Sequence, residues 1–554
     1  MRKFAPVLTI FLLLSFWICA FKANCHETSA QPKADASSKS ISDFSSTPDK
    51  FENVRSMILQ ALEETGVSSM AVAVAKDGHI IWEEGFGLAN REKQIKSTPH
   101  TIYALASISK PITATGLMIL AERGLVDLNK PANDYLGKEK LTVYAGKASE
   151  VTVKRLLHHT AGLPMHWHIF LENGPSLPPS MDESIRRYGI IVAPPGEAFN
   201  YSNFGYGIID HIISRVSGKN YAEFMRTEVF EPLGLARTSV NIHPDLKDYV
   251  AVKYTPKYNP IPVYDYDHRG ASAVFSSAHD LVRFGMFHLK NHLQDQKPIL
   301  KDETIDAMRQ EIDPKVPDSG YGFGWGWGDM YGYRFVNHNG GVAGVSTRLT
   351  LIPIENIASV LLCNGGNIDP WEIESAIFAA LLPEYAKKLQ AEEKKTEEEG
   401  PLQSSFPDSL IGKWEGKIKT YENELPVKMT FVQDNSVILE LEGKTLSSLN
   451  MKTPLGRMGF TDGVFKGLFF GSITTPDTAH APHVIFINMK LRGDRLDGYA
   501  AAIAMDRNFC LPNWIEFKKL PGHQGKLNKE IKHEKDHCTF SCLGCSHFFN
   551  FCFG

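Results

Sequence analysis

A serine and a lysine three residues apart form the first chemically informative pair in this sequence. Ser107-Ile108-Ser109-Lys110 opens a helix-like stretch, and Pro111 follows where a missing amide hydrogen costs little. Residues three apart on a helix lie on the same face. A serine hydroxyl becomes a nucleophile when a base lies beside it, and desolvation makes a buried lysine such a base. The pair is the only Ser-x-x-Lys in the chain, and it predicts catalysis by Ser107 with Lys110 as the base.

Two further motifs follow in chain order. Tyr201-Ser202-Asn203 stands after a turn-like Ala-Pro-Pro-Gly-Glu segment and before a predicted helix. A tyrosine beside an active lysine can shuttle protons as a phenolate. His338-Asn339-Gly340-Gly341 follows a predicted strand over residues 333–337. Its small residues would let a substrate lie along a strand edge, with a backbone N–H directed at the carbonyl oxygen of the substrate.

Other hydrolase and metal motifs do not match. The chain has no Gly-x-Ser-x-Gly, the nucleophile motif of α/β-hydrolases, and no Glu-x-x-Leu-Asn. His158, His159, His166 and His168 are close enough in sequence to suggest zinc, but no carboxylate or thiolate stands at the usual spacing. We therefore predict neither a metal site nor a cofactor.

The three motifs together resemble those of the class C β-lactamase-like serine hydrolases. This superfamily includes penicillin-binding DD-peptidases, D-aminopeptidases and esterases. The similarity covers roughly residues 50–385 and extends to Leu156–Pro164, Glu231–Leu235 and Ser276–Phe284. It implies an α+β fold, in which helices flank an antiparallel sheet.

The resemblance also implies a role for each motif residue. Ser107 would attack the acyl carbon, and Lys110 would accept its proton. Tyr201 would relay a proton to the leaving group and later activate water. Asn203 would hold the amide side chain of the substrate, and the backbone N–H groups of Ser107 and Gly341 would form the oxyanion hole.

The third motif departs from the β-lactamase pattern, which usually has Lys-Thr-Gly where this chain has His338-Asn339-Gly340. Histidine is only partly charged near neutral pH, so it is a weaker anchor for a substrate carboxylate than lysine. We therefore expect a peptidase or esterase acting on a small-molecule or peptide acyl substrate. The alternative is a non-catalytic protein that binds penicillin-like or peptidoglycan-like ligands; the presence of Ser107, Lys110 and Tyr201 favours the enzyme.

Composition and charge limit the remaining function classes. The chain has 554 residues, of which 43% are hydrophobic, so it can bury a large core. A formal net charge of −4 argues against nucleic acid as a partner, because phosphate binding needs clustered Lys and Arg. The sequence leaves the oligomeric state open.

The amino terminus predicts export. Arg2 and Lys3 precede an uncharged, apolar stretch over residues 4–21, which is typical of a secretory signal. The protein would then be secreted or periplasmic. The alternative is an uncleaved membrane anchor, but the run is short for a membrane span. Membrane association, if any, would use this segment alone.

Hydrophobic patterns predict the organisation of the rest of the chain. A hairpin over residues 69–85, helices near 110–123, 204–217, 278–289 and 370–382, and strands at 345–352 and 357–363 indicate one α+β domain whose sheet joins both ends of the segment. Six short alternating runs then predict a small barrel or sandwich. This β-rich end resembles the lipocalin-like appendage of some family members, which implies a small antiparallel β-barrel. The predicted segments are a signal peptide 1–23, a flexible leader 24–48, a catalytic domain 49–385, a charged linker 386–406, a β-barrel domain 407–520 and a tail 521–554.

The tail carries four of the eight cysteines, Cys538, Cys542, Cys545 and Cys552. Their C-x3-C-x2-C spacing is similar to that of an iron–sulfur loop, but only nine residues follow Cys545. We therefore expect disulfides or an unstructured end there.

Overall fold

The computed structural model describes residues 49–174, 176–310, 319–392, 406–448, 458–506 and 508–521. These form two compact units, of which the first reaches residue 400 and also includes 506–512. The second unit comprises 401–505 and the residues from 513 onward. The predicted signal peptide and leader, most of the charged linker and all but the first residue of the predicted tail lie outside the described residues. Within the described ranges, no helix has the length and apolar character needed to cross a membrane.

The first unit contains all the α-helices of the described chain. They are α1 Glu52–Thr65, α2 Ser109–Glu122, α3 Val153–Leu157, α4 Met181–Tyr188, α5 Asn203–Ser217, α6 Tyr221–Met225, α7 Arg269–Ser272, α8 Ala278–His288, α9 Asp302–Met308, α10 Trp371–Leu381 and α11 Pro383–Glu392.

The strands divide between the two units. Those of the first unit are β1 Ser69–Lys76, β2 His79–Asn90, β3 Ile95–Lys96, β4 Ile102–Ala104, β5 Thr142–Val143, β6 Trp167–Leu171, β7 Ile190–Ile191, β8 Ser239–Val240, β9 Tyr264–Tyr266, β10 Val274–Ser277, β11 Ser319–Tyr321, β12 Gly326–Met330, β13 Tyr333–Val342, β14 Val345–Ile352 and β15 Ile357–Cys363. Those that follow are β16 Gly412–Lys419, β17 Glu424–Phe431, β18 Val437–Leu441, β19 Lys444–Leu446, β20 Gly459–Thr461, β21 Val464–Phe469, β22 His483–Arg492, β23 Arg495–Ala504 and β24 Phe509–Lys519.

An antiparallel sheet of eight strands, in the order β11-β12-β13-β14-β15-β1-β2-β3, is the frame of the first unit. It joins the two ends of the domain, since β1 pairs with β15 and places Val72 opposite Leu361. Helices α1 and α10 cover one face with an apolar cluster that includes Phe51, Val72 and Ile377. On α8, Gly285 lies within contact distance of Ala358 in β15. The predicted α+β domain, with its antiparallel sheet flanked by helices, is confirmed.

Helix α2 positions the Ser-x-x-Lys motif within this frame. Every residue from Ser109 to Leu120 is buried, which is the pattern of a helix surrounded by protein on all sides. Thr113 fastens this helix to its neighbours, because its hydroxyl lies 2.6 Å from Tyr221 Oη and 2.6 Å from Gly270 O. The helix that carries Lys110 is therefore fixed by its packing and by polar contacts.

The second unit is a curled antiparallel sheet. Its strands follow the order β19-β18-β17-β16-β24-β23-β22-β21-β20, so two edges remain among the described residues. A bridge between Ser448 and Phe469 brings the two ends of the curl together. The interior is lined by large apolar side chains such as Trp414, Phe431 and Phe465. The predicted small antiparallel β domain is confirmed in the form of a half-barrel, and its likeness to lipocalins stays a prediction.

Candidate active site

Ser107 lies in a short 3-10 turn directly before α2 and not on the helix itself. The preceding residue, Ala106, has φ 47°, a left-handed conformation that costs a non-glycine residue about 1–2 kcal/mol. Two contacts of Leu105 hold this turn: its N–H donates to Val274 O at 2.9 Å, and its carbonyl accepts from Thr347 Oγ1 at 2.9 Å. The nucleophile candidate is therefore held in a strained turn that β10 and β14 support.

Lys110 is fully buried and contacts three oxygen atoms. Its Nζ lies 3.0 Å from Ser107 Oγ, 2.8 Å from Asn203 Oδ1 and 3.3 Å from Ala271 O. Burial lowers the pKa of Lys110 well below its usual value. A neutral amine has two N–H donors and one lone pair. The lowered pKa favours this neutral form. With the carbonyl oxygens of Asn203 and Ala271 as acceptors for two N–H groups, the lone pair of the neutral amine can face the Ser107 hydroxyl, as a general base requires.

Tyr201 lies next to this pair. Lys110 Nζ is 4.6 Å from the centroid of its ring. The Tyr201 hydroxyl is buried and has no hydrogen-bond partner among the described residues. Burial raises the pKa of Tyr201; the nearby Ser107 hydroxyl opposes this, although the two form no hydrogen bond of ordinary geometry. Tyr201 is therefore a neutral phenol in this state, able to donate a proton, and not the phenolate that the sequence suggests.

His338 lies in the interior of β13 and is neutral. Its Nδ1 is 2.7 Å from Asn339 O, so this nitrogen carries the hydrogen, and Nε2 accepts from Tyr321 Oη at 3.0 Å. Burial and the neighbouring Lys110 lower the pKa of His338 to about 3. The expectation of partial charge near neutral pH is wrong, because burial removes this imidazole from water and disfavours its charged form.

The second half of β13 has one open edge. Its pairing with β12 begins at Tyr333 and ends at Asn337, whereas its pairing with β14 continues to Val342. A Cβ at Gly340 would lie 2.1 Å from Leu105 O, so this position excludes a side chain. Gly341 is exposed. Within the described residues, no strand pairs with this edge of β13 beyond Asn337, so an extended substrate could add to it as a further strand.

The structure brings the predicted site residues together. Ser107, Lys110 and Asn203 are in direct contact, Tyr201 packs on Lys110, and its ring centroid lies 6.4 Å from that of His338. Asn339, Gly340 and Gly341 continue along the open edge of β13. The catalytic and binding roles of these residues remain predictions.

Other residues of the site carry little signal in the sequence. Ala271 contributes a backbone carbonyl, which residue type does not reveal. His159 packs against Tyr201 with ring centroids 4.4 Å apart, and its Nδ1 accepts from the N–H of Ser202 at 3.2 Å. Tyr321 opens the aromatic run 321–327, which the sequence allows either as cleft lining or as core. Both Tyr321 and Trp325 are buried in the structure, and Tyr321 also contacts His338.

Two side-chain clusters have a composition that suits a metal ion. Glu83, His100 and His279 form one, and His166, Asp267 and His268 form the other. In the second, Asp267 accepts from His166 Nε2 at 2.8 Å and from His268 Nδ1 at 2.5 Å.

The second cluster lies directly behind the site, because Asn203 Nδ2 donates to His166 O at 3.0 Å. The other ring nitrogen of His166 is buried without a partner in the described chain, whereas a metal-bound histidine is normally oriented by a second hydrogen bond. We therefore interpret this cluster as a hydrogen-bonded triad that supports Asn203. The four histidines weighed for zinc have separate partners: His158, for example, contacts Tyr321 O and His159 the N–H of Ser202.

Comparison with known proteins places this arrangement in a family. The family model described as Beta-lactamase matches residues 54–380. The chain is 26% identical over 327 residues to the unguisins hydrolase ungD' of Aspergillus campestris, covering 56% of this chain and 60% of that protein. It is 29% identical over 332 residues to penicillin-binding protein 4* of Bacillus subtilis, covering 54% of this chain and 70% of that protein.

A solved structure shows the same fold. The octameric penicillin-binding protein homologue from Pyrococcus abyssi superposes with a TM-score of 0.52 at 22% identity, covering 84% of this chain and 99% of that one. Members of the matched family are serine hydrolases. The chain belongs to the beta-lactamase family.

Proposed function

We propose that this protein hydrolyses an ester or amide bond through an acyl intermediate on Ser107. The observation that carries the proposal is the position of Lys110: its Nζ lies 3.0 Å from Ser107 Oγ, and the carbonyl oxygens of Asn203 and Ala271 accept hydrogen bonds from the same nitrogen. Burial lowers the pKa of the amine and so favours its neutral form, which can activate the serine without a carboxylate.

The steps follow from the protonation states of the two groups. As the bond between Ser107 Oγ and the acyl carbon forms, the hydroxyl proton passes to Lys110, and the carbonyl electrons move onto the oxygen. Collapse of this intermediate breaks the bond to the leaving group, which takes the phenolic proton of Tyr201. The Lys110 ammonium then returns a proton to Tyr201. In the second half, water attacks the acyl carbon and its proton passes through Tyr201 to Lys110. The bond between the acyl carbon and Ser107 Oγ then breaks, and Lys110 returns the proton to the serine oxygen.

Two groups would lower the barrier further. The backbone N–H groups of Gly341, an exposed residue, and of Ser107, in the turn before the buried helix α2, are the proposed donors to the developing oxyanion. The open edge of β13 would align the substrate backbone, which reduces the entropy lost on reaching the transition state.

The second candidate is a binding protein that recognises penicillin-like or peptidoglycan-like ligands without turnover. Its support is the unpartnered Tyr201 hydroxyl, which would then serve as a ligand donor. The catalytic candidate is preferred because Lys110 Nζ contacts Ser107 Oγ and burial lowers its pKa toward the neutral form that a base needs.

Labelling with a fluorescent fluorophosphonate tests the proposal. The protein should take up one label, and Ser107→Ala should take up none. Ser56→Ala, an exposed serine on α1, is the matched control and should label normally. Labelling of Ser107 without any turnover of p-nitrophenyl esters, D-amino-acid amides or nitrocefin would favour the binding protein instead. Retention of the label in Ser107→Ala would refute the nucleophile assignment.

The neutral His338 leads to a prediction on substrate charge. Because burial lowers its pKa to about 3, the imidazole stays uncharged from pH 5.5 to 8.5 and offers no Coulomb attraction to a carboxylate near the leaving group. We expect better turnover of p-nitrophenyl butyrate than of nitrocefin, with a ratio of kcat/KM values that does not change over this pH range. His338→Lys should shift the ratio about tenfold toward nitrocefin. A wild-type ratio that changes with an apparent pKa near 6.5 would contradict this account.

We also propose that the protein is exported. The proposal rests on the basic and apolar amino-terminal sequence alone. Amino-terminal sequencing of the protein recovered from outside its host cell would test it.

A further inference from the structure

The proposed catalytic residues define how a substrate would lie along β13. Tyr201, the proton donor to the leaving group, packs close to His338, with ring centroids 6.4 Å apart. His338 is the first residue of the open edge, and Gly341, the oxyanion donor, stands further along the same strand. The leaving group therefore lies toward His338. The acyl chain extends the other way, toward the turn that follows Val342.

A buried lysine lies beside this turn. Lys253 is 8% exposed, and its Cβ lies 2.7 Å from the position that a Cβ would take at Gly344. Its Nζ stands over the ring of Tyr264, 3.2 Å from the centroid. The Tyr264 hydroxyl donates to Ala343 O at 2.8 Å. Lys253 and Tyr264 therefore pack against each other and against the turn that follows Val342, at the acyl end of the open edge.

This lysine is held without a counter-ion. Burial lowers the pKa of Lys253 to about 7, and no charged group or hydrogen bond of the described chain contributes to that shift. Lysine is almost never buried unless it is paired, because removing the charge from water is costly. A cation–π contact with the ring of Tyr264 offsets part of this desolvation cost. A carboxylate would offset more of the desolvation cost, because it would supply an opposite charge next to the ammonium.

The groups at the leaving-group end of the site differ from Lys253 in their ability to bind an anion. His338 is neutral, and the amine of Lys110 is committed to Ser107 and to its two carbonyl partners. Neither group can attract an anion. A negative charge on the substrate is therefore disfavoured beside the leaving group and favoured at the far end of the acyl chain.

We propose that Lys253 binds a carboxylate at the distal end of the acyl part of the substrate. The inference rests on the proposed function and specifies its substrate class: esters or amides whose acyl group ends in a carboxylate and whose leaving group is neutral. Lys253 is then a specificity residue that contacts the substrate away from the reacting atoms.

Matched pairs of p-nitrophenyl esters test this directly. The glutaric and adipic monoesters carry a terminal carboxylate, and the pentanoate and hexanoate esters are neutral partners of the same chain lengths. We expect the wild-type protein to prefer the acidic ester by about tenfold in kcat/KM for at least one length, mainly through KM. Lys253→Met should remove this preference and leave turnover of the neutral esters within about threefold of wild type.

The controls separate recognition from stability. Lys257→Met replaces an exposed lysine of the same loop and should keep the preference. Because the preference is a ratio measured on one protein, a loss of folded enzyme lowers both rates and leaves the ratio unchanged. Lys253→Gln, which keeps a polar end, should also lose the preference if charge is what matters.

The outcomes distinguish this inference from the proposed function. Equal turnover of acidic and neutral esters by the wild type, or a preference that survives in Lys253→Met, overturns the inference and leaves the hydrolase in place. Absence of any Ser107-dependent turnover of all four esters overturns both.

Discussion

Replacing Lys110 by arginine should lower kcat/KM by about 10²–10⁴-fold, since that is the usual worth of a positioned general base. Lys110 is the proposed base because burial lowers its pKa and its Nζ lies 3.0 Å from Ser107 Oγ. A guanidinium stays protonated at every working pH and has no lone pair to offer. The loss should appear in the acylation step, measured as the rate of fluorophosphonate labelling and as kcat/KM for p-nitrophenyl butyrate.

Controls keep this result separate from a packing effect. Lys110 is fully buried, so the larger guanidinium adds strain of about 1–3 kcal/mol and lowers Tm. Lys110→Met has a similar volume and should also lose activity, while Lys138→Arg, on an exposed lysine, should keep it. Assays of Lys110→Arg up to pH 10 should show no recovery. Near-normal turnover by that variant, or recovery at high pH, would refute the assignment of Lys110 as the base.

The sequence predicts those parts of the site that depend on local pattern. Strands β14 and β15 coincide with the predicted runs 345–352 and 357–363, because buried antiparallel strands leave a continuous apolar signature. Helix α5 begins at Asn203, one residue before its prediction, and so Asn203 faces Lys110 from a helix start. The last strand, β24, is not predicted, because Pro512 interrupts its apolar run and proline normally argues against a strand interior.

What the sequence does not predict depends on contacts between distant segments. A helix is expected for Ser107, but the backbone before it is held in a left-handed turn by partners more than 150 residues away, Val274 and Thr347. The charge of His338 depends on how completely the fold buries it. The position of Lys253 beside the turn after Val342 is set by tertiary packing alone. In each case residue type and spacing name the chemical group, and only the fold sets its protonation state and neighbours.

Tyr201→Phe should reduce activity and leave stability intact, a combination that separates function from folding. The variant removes only the hydroxyl oxygen, which is buried and has no hydrogen-bond partner among the described residues. An unsatisfied buried hydroxyl costs about 1–3 kcal/mol of stability, so Tm should stay the same or rise. Turnover should fall by about 10²–10³-fold, because no other described group next to Lys110 is placed to give the leaving group a proton.

A second tyrosine provides the matched control. Tyr206 is also fully buried, but its hydroxyl donates to Leu157 O at 2.9 Å. Tyr206→Phe leaves that carbonyl without its partner, so it should lower the free energy of unfolding by about 1–2 kcal/mol and change kcat only slightly. The two variants are chemically identical changes, and their effects on Tm and kcat should be opposite. The leaving group gives a further check: the loss in Tyr201→Phe should be smaller for a p-nitrophenyl ester, whose phenolate departs without a proton, than for an amide. Equal losses on both substrates, or a fall in Tm as large as that of Tyr206→Phe, would show that Tyr201 supports the fold and does not donate the proton.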